Sequence, residues 1–182
     1  MSGSDGMDEL GKWLEEGYAG SVRTAFLILG NRSDAEDAVQ EAYLRAWKFR
    51  DSLSATSSFK PWLYRVVVNT CNSKLRKEIP HRDRRSGEDN LATLVAIDDP
   101  MGRIGQANDV LEALRDLPAH LRIVVVLRYY SDLSEREIAV AISRQPGTVK
   151  SRLHEARRRM AAHPALQRDV ESAIAPSKER YQ

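Results

Sequence analysis

Hydrophobic positions along this chain recur at three- and four-residue intervals between capping residues and breakers. Alternation of the kind a half-buried strand needs is rare, and no Asn-Gly or Asp-Gly hairpin turn joins two such runs. The apolar run "AFLILGN" closes at Gly30, a residue suited to a left-handed C-terminal cap. "SDAE" follows, with Ser33 as N-cap and Glu36 three residues on, the spacing of a capping box. Ala35, Ala38, Val39, Ala42, Tyr43 and Ala46 then form one stripe, predicting a helix from Asp34 to Arg50. After the polar loop "DSLSATSS", Ser57 or Ser58 can cap a further helix, with Pro61 in its first turn where a missing N–H does no harm. Phe59, Trp62, Leu63, Val66, Val67, Thr70, Cys71 and Leu75 line one face of it, and Pro80 limits its length.

The segment "LGKWLEEGYAGSVRTAFLIL" predicts one or two helices ahead of Gly30, completing a helical domain over residues 8–78. Periodicity lapses over 79–105, where "PHRDRRSGEDN" is charged and breaker-rich, as a flexible linker should be. Within it "LATLVAI" is apolar, with no packing partner evident. Helices resume over 108–116, stopped by Pro118, and over 118–130. "SERE" is a second capping box, Ser134 with Glu137, opening a short helix to Ile142. A turn and the basic segment "SRQPGTVKSRLHEARRRM" complete a second domain over 106–163, and 164–182 is a tail. The expected fold is all-α: two small helical domains joined by a flexible linker, the C-terminal one a helix-turn-helix.

Composition narrows the function. The 182 residues carry a net charge of only +2, but the charge is uneven. From Arg144 to Arg159 there are six basic residues against one acid, Glu155, which makes a local basic patch on an otherwise balanced chain. The single cysteine, Cys71, excludes an intramolecular disulfide and fits a reducing compartment. Neither a signal peptide nor an apolar run long enough for a membrane span is visible, so a cytoplasmic protein without membrane insertion is expected. Catalysis has little to stand on. The four histidines are dispersed, and Glu78–His81, the one Glu-x-x-His, straddles Pro80, which spoils the helix a ligand pair would need. Gly-rich phosphate loops and Gly-x-Ser-x-Gly nucleophile elbows are absent. No enzyme activity, cofactor or metal site is expected.

Short helix, tight turn and basic helix is the layout of a helix-turn-helix, whose second helix enters the major groove. Leu133, Ile138, Ala139 and Ile142 supply the apolar side of the first helix, Val149 and Leu153 that of the second, and Pro146 suits the second helix start. Lys150, Ser151 and His154 share the outward side near its N-terminal end, while Arg152, Arg157, Arg158 and Arg159 suit phosphates. A solvated basic face is the other reading of the same charges.

Two further faces carry chemistry. Opposite the core stripe of the 59–77 helix lie Arg65, Asn69, Asn72 and Arg76, spaced by four, three and four, with Val68 expected to be exposed among them. Arg and Asn can bond base edges and phosphates, whereas a face that is merely soluble more often carries Glu and Lys. On the 34–50 helix Asp37, Gln40, Glu41, Leu44, Arg45 and Lys48 point outward, a docking surface or a plain solvated face. Trp62 and Cys71 are expected in the core.

"LRYYSDLSEREIA" and "GTVKSRLHEAR" resemble the minus-35-reading domain of extracytoplasmic-function (ECF, group IV) sigma factors, subunits of bacterial RNA polymerase. "LGNRSDAEDAVQEAYLRAW" is similar to that family's core-polymerase-binding helix, and "FKPWLYRVVVNTCNSKLR" to its minus-10-reading helix, in the family's order. LuxR-type regulators end in a related helix-turn-helix, so the first domain discriminates. The resemblance implies that Arg144, Thr148, Lys150, Ser151, Arg152, His154, Arg157 and Arg158 meet the minus-35 duplex. Phe59, Arg65, Asn69, Asn72 and Arg76 would meet the minus-10 strand, with Asn69 at a flipped base and Phe59 supporting the preceding loop. Asp37, Gln40, Glu41, Leu44 and Arg45 would face core RNA polymerase, whose clamp helices and flap the family engages. Promoter DNA and an anti-sigma factor are the other implied partners. A stand-alone helix-turn-helix regulator is the alternative; the second Arg/Asn face argues against it. Two features depart from the family pattern. The turn reads "SRQ" where Gly and an aliphatic are usual, and Glu155 stands where Arg is frequent, either repelling a phosphate or accepting from a cytosine amine.

Overall fold

The computed structural model describes residues 3–49, 59–78 and 104–167. The 50–58 loop, the linker over 79–103 with its "LATLVAI" segment, and the tail from 168 lie outside the described residues. Eight helical segments and no strand occur among the described residues: seven named helices and a single helical turn over 164–167. The seven are α1 (Gly3–Leu29), α2 (Arg32–Lys48), α3 (Phe59–Glu78), α4 (Ile104–Asp116), α5 (Ala119–Tyr129), α6 (Glu135–Ala141) and α7 (Pro146–Ala161). The segment ahead of Gly30 is thus a single helix.

Gly30 turns the chain between α1 and α2 at φ 78°, a backbone state that costs other L-residues energy. That turn leaves Asn31 extended (φ −136°, ψ 132°), so Asn31, not Ser33, is the N-cap: its side chain accepts from the Asp34 N–H at 2.9 Å. Ser33 already lies inside the first turn, and Glu36, freed from any capping box, pairs with Arg32 at 2.9 Å. The second capping box forms as its spacing predicts. Ser134 Oγ accepts from the Glu137 N–H, and the Glu137 carboxylate accepts from the Ser134 N–H at 2.8 Å.

The inward residues fill one interior. Ala35, Ala38, Val39, Ala42 and Ala46 of α2 are fully buried, as are Val67 and Cys71 of α3. Small residues on α2 let α1 and α3 approach it closely, and α2 packs against both. In the second half Val124, Leu127, Leu133, Ile138, Val149 and Leu153 are buried, α5 and α6 each packing on α7. Each such side chain contributes about 1.5–3 kcal/mol by leaving water.

The two halves close on each other. α3 packs on α6 and α1 on α5, and one continuous cluster of buried residues runs from Val22 and Phe26 through Val67 and Val68 to Ile138 and Val149. Polar groups lock this seam. Arg122 of α5, only 5% exposed, donates from Nη1 to the Ile28 carbonyl at 2.9 Å and from Nη2 to the Leu117 carbonyl at 3.3 Å. Thr24 Oγ1 and Ser131 Oγ share a buried hydrogen bond at 3.0 Å. The carbonyls of a helix's last turn have no partner within the helix, and Arg122 supplies one to α1 from the other half of the chain.

Candidate nucleic-acid interface

The helix-turn-helix is built from α6 and α7. Ser143, the αL residue between them (φ 52°), sits where a glycine would be unstrained. Its N–H bonds the Val140 carbonyl at 3.2 Å and the Arg144 N–H bonds the Ala139 carbonyl at 2.9 Å, the two bonds of a Schellman motif. The "SRQ" turn is therefore tightly closed despite lacking glycine. Arg144 is exposed, with Nη1 bonded to the Ser143 carbonyl at 3.1 Å. Gln145 is the N-cap of α7, and Pro146 opens the helix at a position whose N–H would have no acceptor.

Val149, Leu153 and Ala156 seat α7 on the rest of the domain. Lys150, Ser151 and His154 are exposed on its outer side, and Thr148 is half-buried. The Ser151 hydroxyl donates to the Thr148 carbonyl at 3.0 Å, which holds it against the helix. The arginines differ from one another. Arg152 is half-buried, and its pKa is lowered by burial and by the Arg144 charge. Arg157 donates through Nε to the Leu153 carbonyl at 3.2 Å. Arg158 and Arg159 both bond Glu155, at distances down to 2.7 Å, so the acid lies among the cations of its own helix.

The second face lies on α3. Arg65, Asn69 and Arg76 are exposed and Asn72 is half-buried, four residues on one side of the helix as the spacing predicts. Phe59 opens the helix; its side chain is not among those described. Val68 corrects the expectation of an exposed apolar residue, being 1% exposed. The reason is tertiary: α1, α2 and α6 all pack against α3, and Val68 joins the buried cluster that includes Phe26 of α1 and Ile138 of α6. Cys71, one turn on from Val68, is fully buried, and burial pushes its thiol up to about 12, so it is a packed and unreactive group. Trp62 is partly buried against Leu14, Ala46 and Leu63.

The third face, on α2, holds exposed Asp37, Gln40, Glu41, Leu44 and Arg45, with Leu44 at 65% exposure and Glu41 paired with Arg45. Trp47 and Phe49 extend it with exposed aromatic surface at 43% and 58%, residues the periodicity did not single out because they fall off the inward stripe. Lys74 links this helix to α3, its ammonium 3.4 Å from Asp34 and 3.3 Å from Asp37. Burial works to lower the Lys74 pKa, but the hydrogen bonds to Asp37 and Asp34, with their charge, outweigh it and raise it. The row on α3 and the face on α2 are thereby held in fixed relation. Among the described residues no group of three His, Cys, Asp or Glu could hold a metal ion, and no helix is long and apolar enough to cross a membrane.

Residues 18–79 match the family described as Sigma-70 region 2, and residues 107–160 match Sigma-70, region 4. The chain is 32% identical over 142 residues to the ECF RNA polymerase sigma factor SigW of Bacillus subtilis, spanning 72% of this chain and 76% of that protein. It is 33% identical over 134 residues to the ECF RNA polymerase sigma-E factor of Escherichia coli K12, spanning 68% and 70%. Among solved structures, the fold is similar to the sigma factor RpoE of Bartonella quintana in complex with the anti-sigma factor NepR. The TM-score is 0.66 at 24% identity, covering 90% of this chain and 97% of that one. CnrH in complex with the cytosolic domain of CnrY gives 0.65 at 20%, covering 93% and 91%. With both sigma regions present in order and relatives above 30% identity along most of its length, the chain belongs to the ECF family of RNA polymerase sigma factors.

Proposed function

We propose that this protein, as a group IV member of that family, works by dividing promoter recognition between its two helical halves. It directs promoter-specific transcription initiation with core RNA polymerase. In our reading residues 8–78 form the polymerase-binding and minus-10 domain, 79–105 the linker, 106–163 the minus-35 domain and 164–182 an additional tail. Lys150, Ser151 and His154 would meet base edges, with Arg144, Thr148, Arg152, Arg157 and Arg158 on the flanking backbone. Arg65, Asn69, Asn72 and Arg76 would hold the minus-10 strand, Asn69 at an extruded base and Phe59 beneath the loop. Asp37, Gln40, Glu41, Leu44 and Arg45 would dock on the polymerase. Extruding a base costs a few kcal/mol, which contacts of this kind have to recover. The protein so read acts through binding alone, without a cofactor, and works in the cytoplasm beside the chromosome.

The observation that carries this reading is the pair of polar, DNA-suited faces on separate halves, the Arg/Asn row of α3 and the outer side of α7. Their present arrangement adds a mechanical requirement. The centres of the two promoter elements lie about 25 base pairs apart, roughly 85 Å at 3.4 Å per step. A compact chain of this length has a radius of gyration of only about 16 Å. Both elements are therefore reached together only after α3 and α6 part, and the apolar strip around Val68 then needs another cover. Polymerase surface would supply it in the open state. An anti-sigma factor, the kind of partner bound to the similar RpoE of Bartonella quintana, would favour the closed one.

The test is transcription in vitro from a genomic template library with purified core polymerase. Added protein should produce a discrete set of start sites absent with core alone; an unchanged transcript population would overturn the reading.

A further inference from the structure

Glu155 is the only acid between Arg144 and Arg159, and its surroundings are specific. Its Oε1 accepts from Arg159 Nε at 2.7 Å and from Arg158 Nη2 at 3.1 Å. Its Oε2 accepts from Arg158 Nε at 3.2 Å and from Arg158 Nη2 at 3.0 Å. A carboxylate offers about four lone-pair sites, and these four contacts occupy them. The Arg159 and Arg158 hydrogen bonds lower the Glu155 pKa, so the group is charged at neutral pH. Both guanidinium groups remain at the surface, their side chains 69% and 49% exposed, where a nucleic-acid backbone can reach them.

We infer that Glu155 is an internal competitor for DNA phosphate, holding Arg158 and Arg159 in reserve and so weakening the sequence-independent part of duplex binding. The inference rests on the minus-35 reading of α7. A phosphate that recruits either arginine must share it with a carboxylate already in place, and the carboxylate then lies near a second negative group. Phosphate contacts position a protein without reading sequence, so the weakening applies to every duplex alike. A base-reading role for Glu155 would require the opposite, since accepting from a cytosine amine needs lone pairs now given to the two arginines. The consequence for function is discrimination. With non-specific grip reduced, occupancy depends more on the readers Lys150, Ser151 and His154 and on the polymerase.

The test is fluorescence anisotropy of the full-length chain with two labelled duplexes, one of A·T pairs only and one of mixed sequence, at several salt concentrations. Glu155→Gln should tighten binding to both by the same factor, about threefold to tenfold, and should steepen the salt dependence by about one released counterion. The gain should vanish when Arg158 and Arg159 are both changed to Gln. An unaltered salt slope, or weakened binding confined to the mixed duplex, would overturn the inference. Lys150→Glu in the same titration separates the two levels. If Lys150→Glu weakens binding and Glu155→Gln does nothing, only the competitor role is lost. If neither variant changes binding, α7 is not the DNA-binding helix and both readings fall.

Discussion

The Arg/Asn row of α3 and the basic side of α7 are both polar helix faces suited to DNA, yet they are built in opposite ways. The α3 row is two arginines and two amides with no acid among them, and it borders the buried Val68. The α7 face is rich in charge, carries its own acid, and belongs to a helix that packs on α5 and α6. Duplex DNA presents a regular array of phosphates, which charge at a distance can find. An opened strand presents unstacked bases, which short amide side chains close to an apolar surface can hold. On the proposed division of the promoter, the difference between the faces would track the difference between their targets.

The seam is where this comparison breaks most easily. Arg122→Ala should lower the unfolding free energy by about 3 kcal/mol, because it leaves the Ile28 and Leu117 carbonyls without a charged donor in a buried setting. Urea unfolding of the intact chain measures this. A loss below about 1 kcal/mol would mean that the two halves are not locked by this arginine.

The two faces should then part functionally. Lys150→Glu should weaken duplex binding by more than tenfold, since it removes one favourable charge and adds repulsion near phosphates. Asn69→Ala should leave duplex binding by the chain alone untouched and reduce open-complex formation, read by permanganate reactivity of the promoter with holoenzyme. If Asn69→Ala lost polymerase association equally, the effect would lie in folding and not in the minus-10 contact.

A smaller effect concerns acid stability of the second half. Glu137 is held below the usual carboxylate range by hydrogen bonds from the Ser134 side chain and backbone. A carboxyl lowered in the folded state stabilises fully above its unfolded value, near 4.3, and loses that contribution as pH falls through the folded value. Glu137→Gln should therefore flatten the decline of Tm below about pH 4.5 while costing under about 1 kcal/mol at pH 7. The weakest expected change is Ser143→Gly. Relief of the αL strain, about 1–2 kcal/mol, is partly offset by the extra freedom of unfolded glycine. A net gain of about 0.5 kcal/mol in thermal or urea unfolding is expected, with DNA affinity unchanged.

Much of this architecture is legible in the chain because it is local. Apolar spacing over a few turns anticipates which side of α2, α3 and α7 faces inward, and the Ser134–Glu137 box forms where its spacing places it. Local reasoning misplaces the cap of α2, because whether Asn31 or Ser33 caps depends on the left-handed turn at Gly30. It misreads Val68 for a different reason: helical phase places that residue off the main stripe, and packing with helices distant in sequence buries it. Trp47 and Phe49 escape notice because an apolar residue off the stripe carries no periodic signal.

By itself, then, the sequence determines the helices, their inward faces, the order of the two sigma regions and the rows of candidate contact residues, since all of these depend on spacings within a few turns. The tertiary structure decides the rest. It makes Arg122 a buried donor for another helix's last turn, shares Lys74 between two aspartates, and draws Val68 into the common core. Such contacts join residues up to 107 positions apart, as in the Thr24–Ser131 bond. Which of them form depends on how whole helices pack, and no spacing along the chain encodes that.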